Sequence, residues 1–280
     1  MEIILAESAG FCYGVRRALE TVIDAAKDNR KPMFILGPLI HNPQVIERLE
    51  SQGVKSVSGL DQVPPESIIV MPSHGVPRQV MEKARKSGLE IIDVTCPFVA
   101  KVQRLAENLV KQKYQVVVLG DEGHTEVRGI MSVAGDDAVA VCDIEELANY
   151  DLKRRVGVVS QTTQTVDRYQ RLVGEISGRA HELLAYNTIC NATEERQKAV
   201  IDVARDADVM VVVGGRISAN TKRLAEICTA TGVPTYHVEV ADEIDPQWFE
   251  GAKKVGITAG ASTPDWIINE VVERIKAFRI

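Results

Sequence analysis

The sequence lacks any apolar run long enough to cross a bilayer, and its first residues, MEIILAESAG, lack the basic and long apolar regions of a secretory signal. These absences predict a cytoplasmic protein with no membrane partner. Positive charge is not in excess either, because the 280 residues carry a formal net charge of −6. Nucleic-acid-binding proteins usually carry a basic patch, so we expect no nucleic-acid partner.

Closely spaced cysteines are also absent. The cysteines are odd in number, widely separated and free of any C-x-x-C pair: Cys12, Cys96, Cys142, Cys190 and Cys228. This spacing argues against a disulfide framework, a zinc ribbon and a ferredoxin-type cluster motif. A metal bound by these thiols therefore requires a fold that gathers them from distant parts of the chain.

What the sequence does contain is a regular alternation of strand-like and helix-like segments. Hydrophobic residues make up 45% of the chain and charged residues 26%, which is typical of a globular protein. Short Val/Ile runs such as QVVVLG and VMVVVGG indicate parallel strands buried on both faces. Amphipathic helical patterns occupy 14–28, 97–112, 165–179, 191–205 and 264–279, and a first helical turn is expected at Pro43, Pro77 and Pro264. The alternation predicts an α/β protein with parallel sheets.

Three of the cysteines share one local context. Cys12, Cys96 and Cys190 are separated by 84 and 94 residues, and each lies between a strand-like and a helix-like run. The pattern predicts three α/β units, each with one cysteine at the carboxyl end of a strand, where open α/β sheets bind ligands. The helix dipole lowers the pKa of a thiol at a helix N-terminus and favours the metal-binding thiolate. Cys142 and Cys228 are instead expected to be small buried side chains.

Histidines and one acid stand in similar places. His41, His74 and His124 each follow a strand-like run and are candidate metal ligands or cationic partners of a phosphorylated ligand. His181 and His237 are expected to be structural or exposed. In GHTEVRG, His124 and Glu126 form the H-x-E half of a zinc deaminase signature, in which the Glu moves protons. The P-C-x-x-C half of that signature is missing.

Hydroxyl and amide side chains follow strand-like runs in the second half of the chain. They lie in SQTTQT (160–165), GGRISANTKR (214–223) and GASTPDW (260–266). None of these matches a P-loop or a dinucleotide-binding G-x-G-x-x-G. Together they indicate a pocket that holds an anion mainly with neutral donors and histidines.

The residues by themselves leave the metal open. Thiolates favour soft or borderline metals, and three protein ligands leave a fourth position free. Zinc and an iron–sulfur cluster with one iron lacking a protein ligand are both compatible with the spacing.

Nine motifs, in order from residue 7 to about 270, resemble those of the 4-hydroxy-3-methylbut-2-enyl diphosphate reductase family. They are AGFCYGVRRAL, GPLIHNPQV, PSHGVP, DVTCPFV, GHTEVRG, QTTQT, NTICNAT, ISANTKRL and AGASTPDW. The resemblance implies three pseudo-equivalent α/β domains with parallel sheets, arranged as a trefoil around a central iron–sulfur cluster. The implied domains are 14–96, 97–190, and 191–280 together with 1–13.

The resemblance also implies roles for individual residues. Cys12, Cys96 and Cys190 match the three ligands of one [4Fe-4S] cluster whose fourth iron is open to substrate, and Glu126 matches the acid that supplies protons. The implied substrate-binding residues are His41, His74, His124, Thr162, Thr163, Ser218, Asn220 and Ser262. Ala219 departs from the pattern, because some relatives carry a second Ser there, and one hydroxyl contact is expected to be absent.

The implied reaction is the last step of the methylerythritol phosphate pathway of isoprene biosynthesis. Two electrons and two protons remove the allylic hydroxyl of 4-hydroxy-3-methylbut-2-enyl diphosphate as water, which yields isopentenyl and dimethylallyl diphosphate. No flavin or nicotinamide motif is present, so the electrons are expected from an external ferredoxin or flavodoxin. Two alternatives are a zinc hydrolase or deaminase, which would contain zinc and no sulfide, and a redox-sensing module, in which Glu126 would be dispensable.

Overall fold

The structure, a computed structural model, describes residues 1–28 and 31–278. Within these residues strands and helices alternate as predicted. The strands are β1 (Glu2–Leu5), β2 (Met33–Leu36), β3 (Val54–Val57), β4 (Ile68–Met71), β5 (Glu90–Asp93), β6 (Gln115–Leu119), β7 (Val139–Val141), β8 (Arg155–Ser160), β9 (Glu182–Ala185), β10 (Val209–Val213), β11 (Thr235–Val238) and β12 (Lys254–Ala259). The α-helices are α1 (Tyr13–Asp28), α2 (Pro43–Ser51), α3 (Arg78–Lys86), α4 (Pro97–Lys111), α5 (Thr125–Met131), α6 (Val166–Ser177), α7 (Asn191–Asp206), α8 (Ala219–Ala230) and α9 (Asp265–Lys276).

The strands form three four-stranded sheets of the same topology. Their orders are β3-β2-β4-β5, β7-β6-β8-β9 and β11-β10-β12-β1, and neighbouring strands are parallel throughout. In the third sheet the outermost position belongs to β1, from the opposite end of the chain. The predicted α/β class with parallel sheets is confirmed.

The chain divides into two compact units. One consists of residues 1–16, 40–47 and 191–280 and contains the sheet with β1. The other consists of 17–39 and 48–190 and contains the remaining two sheets. The boundaries of the three domains implied by the family resemblance stay a prediction. Residues 29, 30, 279 and 280 lie outside the described residues. Residue 279 is also the last residue of the predicted helix 264–279.

Buried central strands explain the near-continuous apolar runs. All five residues of β6 and all five of β10 are buried, and alternate side chains point to opposite faces of the sheet. In β10, Val211 packs in a cluster with residues of α9, whereas Val212 packs with residues of α7 and α8. Each such fully buried aliphatic side chain contributes about 1.5–3 kcal/mol to the free energy of unfolding. The central strands β6 and β10 are therefore among the main sources of stability in their sheets.

The outer strands follow different rules. β3 and β11 were not expected, because VKSV and TYHV are short, mixed in polarity and buried on only part of their surface. The strands β1, β5 and β9, at the other edges, share one burial pattern in which only the two middle residues are partly buried. β3 and β11 therefore gave the weakest strand signal, whereas β7, also at an edge, is buried throughout.

Proline positions were predicted correctly only in part. Pro43 is the first residue of α2, as expected. Pro77 and Pro264 lie one residue earlier than expected, because they cap α3 and α9 in an extended conformation. Within the described residues, no helix is sufficiently long and apolar to traverse a lipid bilayer.

Candidate functional site

The three cysteines with a shared context occupy equivalent places in their sheets. Cys12, Cys96 and Cys190 each directly precede a helix, and they follow the edge strands β1, β5 and β9 respectively. All three cysteines are partly exposed. A thiol at the start of a helix faces the positive end of the helix dipole, which stabilises its thiolate form. The local chemistry of each of the three cysteines therefore suits a soft thiolate ligand.

A repeated backbone hydrogen bond connects each cysteine to the neighbouring strand. The Cys12 N–H donates to the Ala261 carbonyl at 3.1 Å, and the Cys96 N–H donates to the Ser73 carbonyl at 2.8 Å. The Cys190 N–H donates to the Thr162 carbonyl at 3.0 Å. Each acceptor is the second residue after β12, β4 or β8, the strand beside the edge strand. Each acceptor also directly precedes a residue predicted to bind substrate, namely Ser262, His74 or Thr163.

The other two cysteines lie in different surroundings. Cys228 is fully buried inside α8, as predicted, and burial raises the pKa of its thiol to about 12. Cys142 is only partly buried, so its predicted burial was wrong. It follows β7 at a sheet edge, and its backbone N–H donates to the Glu146 carboxylate at 2.8 Å. Burial and the nearby Asp143 carboxylate raise the pKa of the Cys142 thiol, which disfavours the thiolate.

Ligands for one metal ion are not grouped in the described parts of the chain. No three His, Cys, Asp or Glu side chains among residues 1–28 and 31–278 form such a cluster. A mononuclear zinc site built on His124 therefore has no ligand set in this structure. A polynuclear cluster is larger than one ion and places its thiolates farther apart, so it does not require such a group.

Glu126 is the buried acid of the larger unit. It is the second residue of α5 and only 3% exposed. Its carboxylate accepts hydrogen bonds from the Thr162 backbone N–H at 2.7 Å and from the Thr162 hydroxyl at 2.9 Å. Burial disfavours the ionised form and raises the pKa of Glu126 to about 7, although both Thr162 hydrogen bonds act in the opposite direction. An acid with this pKa can both hold and release a proton near neutral pH.

His124 begins the helix that carries Glu126. Its Nδ1 accepts a hydrogen bond from the Glu126 backbone N–H at 3.2 Å, so the imidazole replaces the usual Ser, Thr or Asp as the N-cap. An accepting Nδ1 places the proton of a neutral imidazole on Nε2. The first turn of α5 thus fixes His124 beside Glu126, and Thr162 is fixed beside this turn by its two hydrogen bonds to the Glu126 carboxylate.

Thr162 connects the acid to a cysteine. Its N–H and hydroxyl face Glu126, while its carbonyl accepts from the Cys190 N–H. Thr163, the next residue, is partly buried. The structure thereby brings the pair His124 and Glu126 together with Thr162, 36 residues from Glu126, and with the more distant Cys190.

His74 lies in the loop that supports Cys96. It is 8% exposed and follows Ser73, whose carbonyl accepts from the Cys96 N–H. His74 also lines a cavity of about 340 Å³ together with Thr125 and Arg128, which both belong to α5. This cavity therefore places His74 beside α5, the helix that carries Glu126.

In the smaller unit, α8 presents the hydroxyl and amide residues. Ser218 caps this helix, and its Oγ accepts from the Thr221 N–H at 3.3 Å. The Asn220 Oδ1 accepts from the Ala261 N–H at 2.9 Å. Within the described residues the buried Asn220 Nδ2 has no hydrogen-bond partner. A buried amide donor without a partner is costly, so this group suits an anionic ligand.

His41 approaches the same loops through its backbone. The Ser262 hydroxyl donates to the His41 carbonyl at 3.2 Å. A Cβ at Gly215 would lie 2.6 Å from that carbonyl, so only glycine permits the approach. Burial lowers the pKa of the His41 imidazole and favours its neutral form. Cys12, His41, Asn220 and Ser262 are thereby assembled around residues 260–262.

Sequence reasoning missed a buried arginine in this unit. Arg196 is 5% exposed and lies on α7, six residues after Cys190. Its Nη2 donates to the Gly10 carbonyl at 2.6 Å and its Nη1 to the Ala192 carbonyl at 2.8 Å. It therefore holds the turn that precedes Cys12. The signal available was its place in the NATEER segment, directly after a candidate cysteine.

Sequence-based expectations for the remaining two histidines agree with the structure. His181 is exposed, and the His237 Nε2 lies 2.8 Å from the Gly214 carbonyl, which gives His237 a structural contact at the end of β11. Neither contributes to the loops that carry the cysteines.

Three parallel four-stranded sheets, each followed by one cysteine directly before a helix, define an α/β protein, and such proteins bind ligands beyond the carboxyl ends of their strands. The family model described as LytB protein matches residues 3–276. The chain belongs to the LytB protein family.

Individual relatives cover nearly the whole chain. A protein of Geobacter metallireducens is 48% identical over 276 residues, which span 99% of this chain and 97% of the relative. A protein of Pelobacter propionicus is 47% identical over 275 residues, which span 98% of this chain and 98% of the relative. Both relatives are named 4-hydroxy-3-methylbut-2-enyl diphosphate reductase.

Two solved structures are similar to this chain. One, described as (E)-4-hydroxy-3-methyl-but-2-enyl diphosphate reductase, the terminal enzyme of the non-mevalonate pathway, is 41% identical with a TM-score of 0.72 and covers 99% of this chain and 100% of its own. The corresponding reductase of Plasmodium falciparum is 29% identical with a TM-score of 0.93 and covers 97% of this chain and 87% of its own.

Proposed function

We propose that this protein is a reductase that removes the allylic hydroxyl of 4-hydroxy-3-methylbut-2-enyl diphosphate. The C–O bond breaks, the oxygen leaves as water, and a hydrogen takes its place on the allyl group, which gives isopentenyl and dimethylallyl diphosphate. The step uses two electrons and two protons. The observation that carries the proposal is Glu126, a buried acid with a pKa near 7, in a chain of the LytB family.

A [4Fe-4S] cluster bound by Cys12, Cys96 and Cys190 is the cofactor we propose. The fit rests on three partly exposed cysteines that each directly precede a helix and receive the same backbone support. When bound, the cluster would supply electrons and a Lewis-acidic iron for the departing hydroxyl, because hydroxide itself is a poor leaving group.

Glu126 is the proton donor in this proposal. With a pKa of about 7, a large fraction of its carboxyl groups is protonated at neutral pH. The Thr162 N–H and hydroxyl hold the carboxyl group in one orientation and stabilise the carboxylate that remains after proton transfer. The His124 Nε2–H, fixed by the hydrogen bond to Nδ1, offers a second donor beside it.

Neutral groups hold the diphosphate. Asn220 offers an Nδ2 donor without a partner in the described residues, while Ser218, Ser262 and Thr163 offer hydroxyls. His41 is kept neutral by burial, so it would act as a hydrogen-bond donor rather than a cation. His74 completes the proposed set. Ala219 provides no hydroxyl at its position.

The two electrons come from outside the chain, from a ferredoxin or flavodoxin. Such carriers deliver one electron at a time. Each turnover therefore oxidises two carrier molecules, or oxidises one carrier twice if it is reduced again between the two transfers. The sensing-module alternative shares this donor, but it predicts no consumption of substrate.

Anaerobic purification followed by iron and acid-labile sulfide analysis tests the cofactor. We expect iron and sulfide in comparable amounts and turnover of the allylic diphosphate with reduced donor. Zinc without sulfide would overturn the assignment and favour the deaminase-type alternative.

Matched cysteine variants test the ligands. We expect Cys190→Ser to remove or degrade the cluster, since serine replaces a thiolate that starts α7. Cys142→Ser should change iron content little, because that thiol lies at a different sheet edge. Full iron and sulfide retention in Cys190→Ser, or a large loss in Cys142→Ser, would show that different thiols bind the cluster.

A further inference from the structure

A basic groove lies beside Cys96. It has a volume of about 520 Å³ and runs between α3 and α4. Thr95 and Pro97, the two neighbours of Cys96, both line it. Its cationic lining residues are Arg78, Arg85 and Arg104. The groove thus reaches the immediate neighbours of a proposed cluster ligand.

The groove stands out against the acidic chain. Helix α3, with the sequence RQVMEKARK, carries four basic residues and one acid, although the whole chain has a net charge of −6. Arg85, Lys86, Lys101 and Arg104 are exposed on α3 and α4. None of these four side chains forms an ion pair within residues 1–28 and 31–278. Their charge is therefore available to a partner.

The acids that line the groove are mostly engaged. Glu107 pairs with Arg78 at 2.9 Å and with Lys111 at 3.1 Å. The Asp93 carboxylate accepts from the Thr95 N–H at 2.9 Å and from its hydroxyl at 2.5 Å. Glu82 is the remaining lining acid. The three lining acids equal the three lining arginines in number, so the positive excess of this surface comes from α3 and α4 as a whole, which carry seven basic and two acidic residues.

Apolar surface accompanies the charge. Met81, Ala100 and Val133 line the groove, and Phe98, two residues after Cys96, is 39% exposed. A small apolar centre with a charged rim is typical of transient protein interfaces, and electron-transfer complexes bury the smallest areas among them. Complementary charge increases the rate at which such partners meet.

We infer that the groove between α3 and α4 is the docking surface for a small acidic electron-carrier protein that delivers electrons by way of the Cys96 segment. The inference rests on the proposed function. Each encounter oxidises the carrier by one electron and reduces the proposed cluster by one electron, so two encounters supply the pair that one turnover consumes.

Charge reversal on the groove tests the inference. In Arg85→Glu/Arg104→Glu, we expect the KM for a reduced ferredoxin or flavodoxin to rise about tenfold or more at low ionic strength, with the effect shrinking as salt is added. Turnover with dithionite-reduced methyl viologen, a small cationic donor, and the iron and sulfide content should stay within about twofold of the parent protein.

A matched control carries the same change in net charge elsewhere. Lys198→Glu/Lys276→Glu reverses two exposed lysines on α7 and α9. An equal rise in the protein-donor KM in this control, or no rise in the groove variant, would overturn the inference. Isothermal titration calorimetry of the oxidised carrier measures binding without turnover. Equal affinity of the carrier for the groove variant and the control variant would also overturn the inference. Failure of the proposed function would look different, because the parent protein would then turn over substrate with neither donor.

Discussion

The strand ends of the two units offer the same scaffold with different chemistry. In the larger unit, Glu126 is the seventh residue after β6 and the second residue of α5. In the smaller unit, Asn220 is the seventh residue after β10 and the second residue of α8. Both side chains accept a hydrogen bond from the backbone N–H of the second residue after the neighbouring strand, Thr162 or Ala261.

The residues that precede them correspond as well. His124 and Ser218 are each the fifth residue after their strand, and each caps the following helix with a side-chain acceptor. His41 is also the fifth residue after its strand, β2, but there Asn42 performs the capping. The arrangement therefore recurs after β6 and β10 with different side chains placed upon it, whereas after β2 the capping residue and the start of the helix lie one residue later.

The difference between Glu126 and Asn220 separates two tasks. Glu126 can hold a proton because it is an acid, and burial keeps its pKa near neutral. Asn220 cannot ionise, and its Nδ2 remains a donor whatever the pH. Thr162 adds a hydroxyl to the carboxylate, whereas Ala261 has none to add to the amide. In the proposed function, the same position serves proton transfer in one unit and anion binding in the other.

The largest expected effect comes from converting the acid into an amide. Glu126→Gln should lower turnover by roughly 10²-fold or more, because the amide has no acidic proton to deliver in a general-acid step. Iron and sulfide content should be unchanged. The measurement is steady-state turnover with a reduced donor, and Glu122→Gln, an exposed change in the same loop, is the matched control. Full turnover in Glu126→Gln would favour the sensing-module alternative.

The same variant should change how stability depends on pH. The pKa of Glu126 is about 7 in the folded protein against an ordinary 4.5, so the folded state binds more protons between these values. The free energy of unfolding therefore falls as pH rises through this window, by about 3 kcal/mol. Glu126→Gln should abolish this contribution, which urea denaturation at about pH 5 and about pH 8 would reveal. An unchanged slope would contradict the raised pKa.

The reverse conversion tests the smaller unit. Asn220→Asp keeps the acceptor for the Ala261 N–H but adds negative charge where we propose the diphosphate binds. We expect the KM for the diphosphate to rise about 10- to 100-fold, or about 1.4–2.8 kcal/mol, with cluster content unchanged. Asn149→Asp introduces the same charge on an exposed residue and should leave KM unaltered. A KM that responds equally in both variants would remove Asn220 from the anion site.

The smallest change removes one hydroxyl. Thr162→Val keeps the backbone N–H that binds Glu126 but loses the hydrogen bond at 2.9 Å. That hydroxyl stabilises the carboxylate, so its loss should raise the pKa of Glu126 further, by roughly one unit. The alkaline limb of the pH–kcat profile should therefore shift to higher pH. Thr163→Val serves as the comparison, since Thr163 is the adjacent threonine; a shift of the same size there would show that the limb does not report Glu126.

Local patterns in the sequence predicted much of the fold. The central strands β6 and β10 were visible because every residue in β10, and every residue in β6 except Gln115, is apolar. Helices α1 and α4 were predicted to within one residue at each end, since their amphipathic periodicity is strong. The edge strands β3 and β11 were missed, because a strand paired on one side needs no continuous apolar run.

The candidate site was predictable in its residues but not in its contacts. Cys12, Cys96 and Cys190 could be selected from their place between strand and helix. Arg196 could not, because its hydrogen bond to Gly10 joins residues 186 positions apart. The equivalence of Glu126 and Asn220 was also hidden, since HTE and SAN share no side-chain chemistry.

The sequence by itself determined the alternation of strands and helices, the parallel sheets and the placement of one cysteine at the start of each of three helices. These properties follow from hydrophobic periodicity and helix capping, which act over a few neighbouring residues. Only the tertiary structure decided which strands are neighbours, which carbonyl supports each cysteine and that Glu126 is buried against Thr162, 36 residues away. The pKa of an acid depends on the loss of its solvent and on the donors around it, and both are supplied by residues distant in the chain.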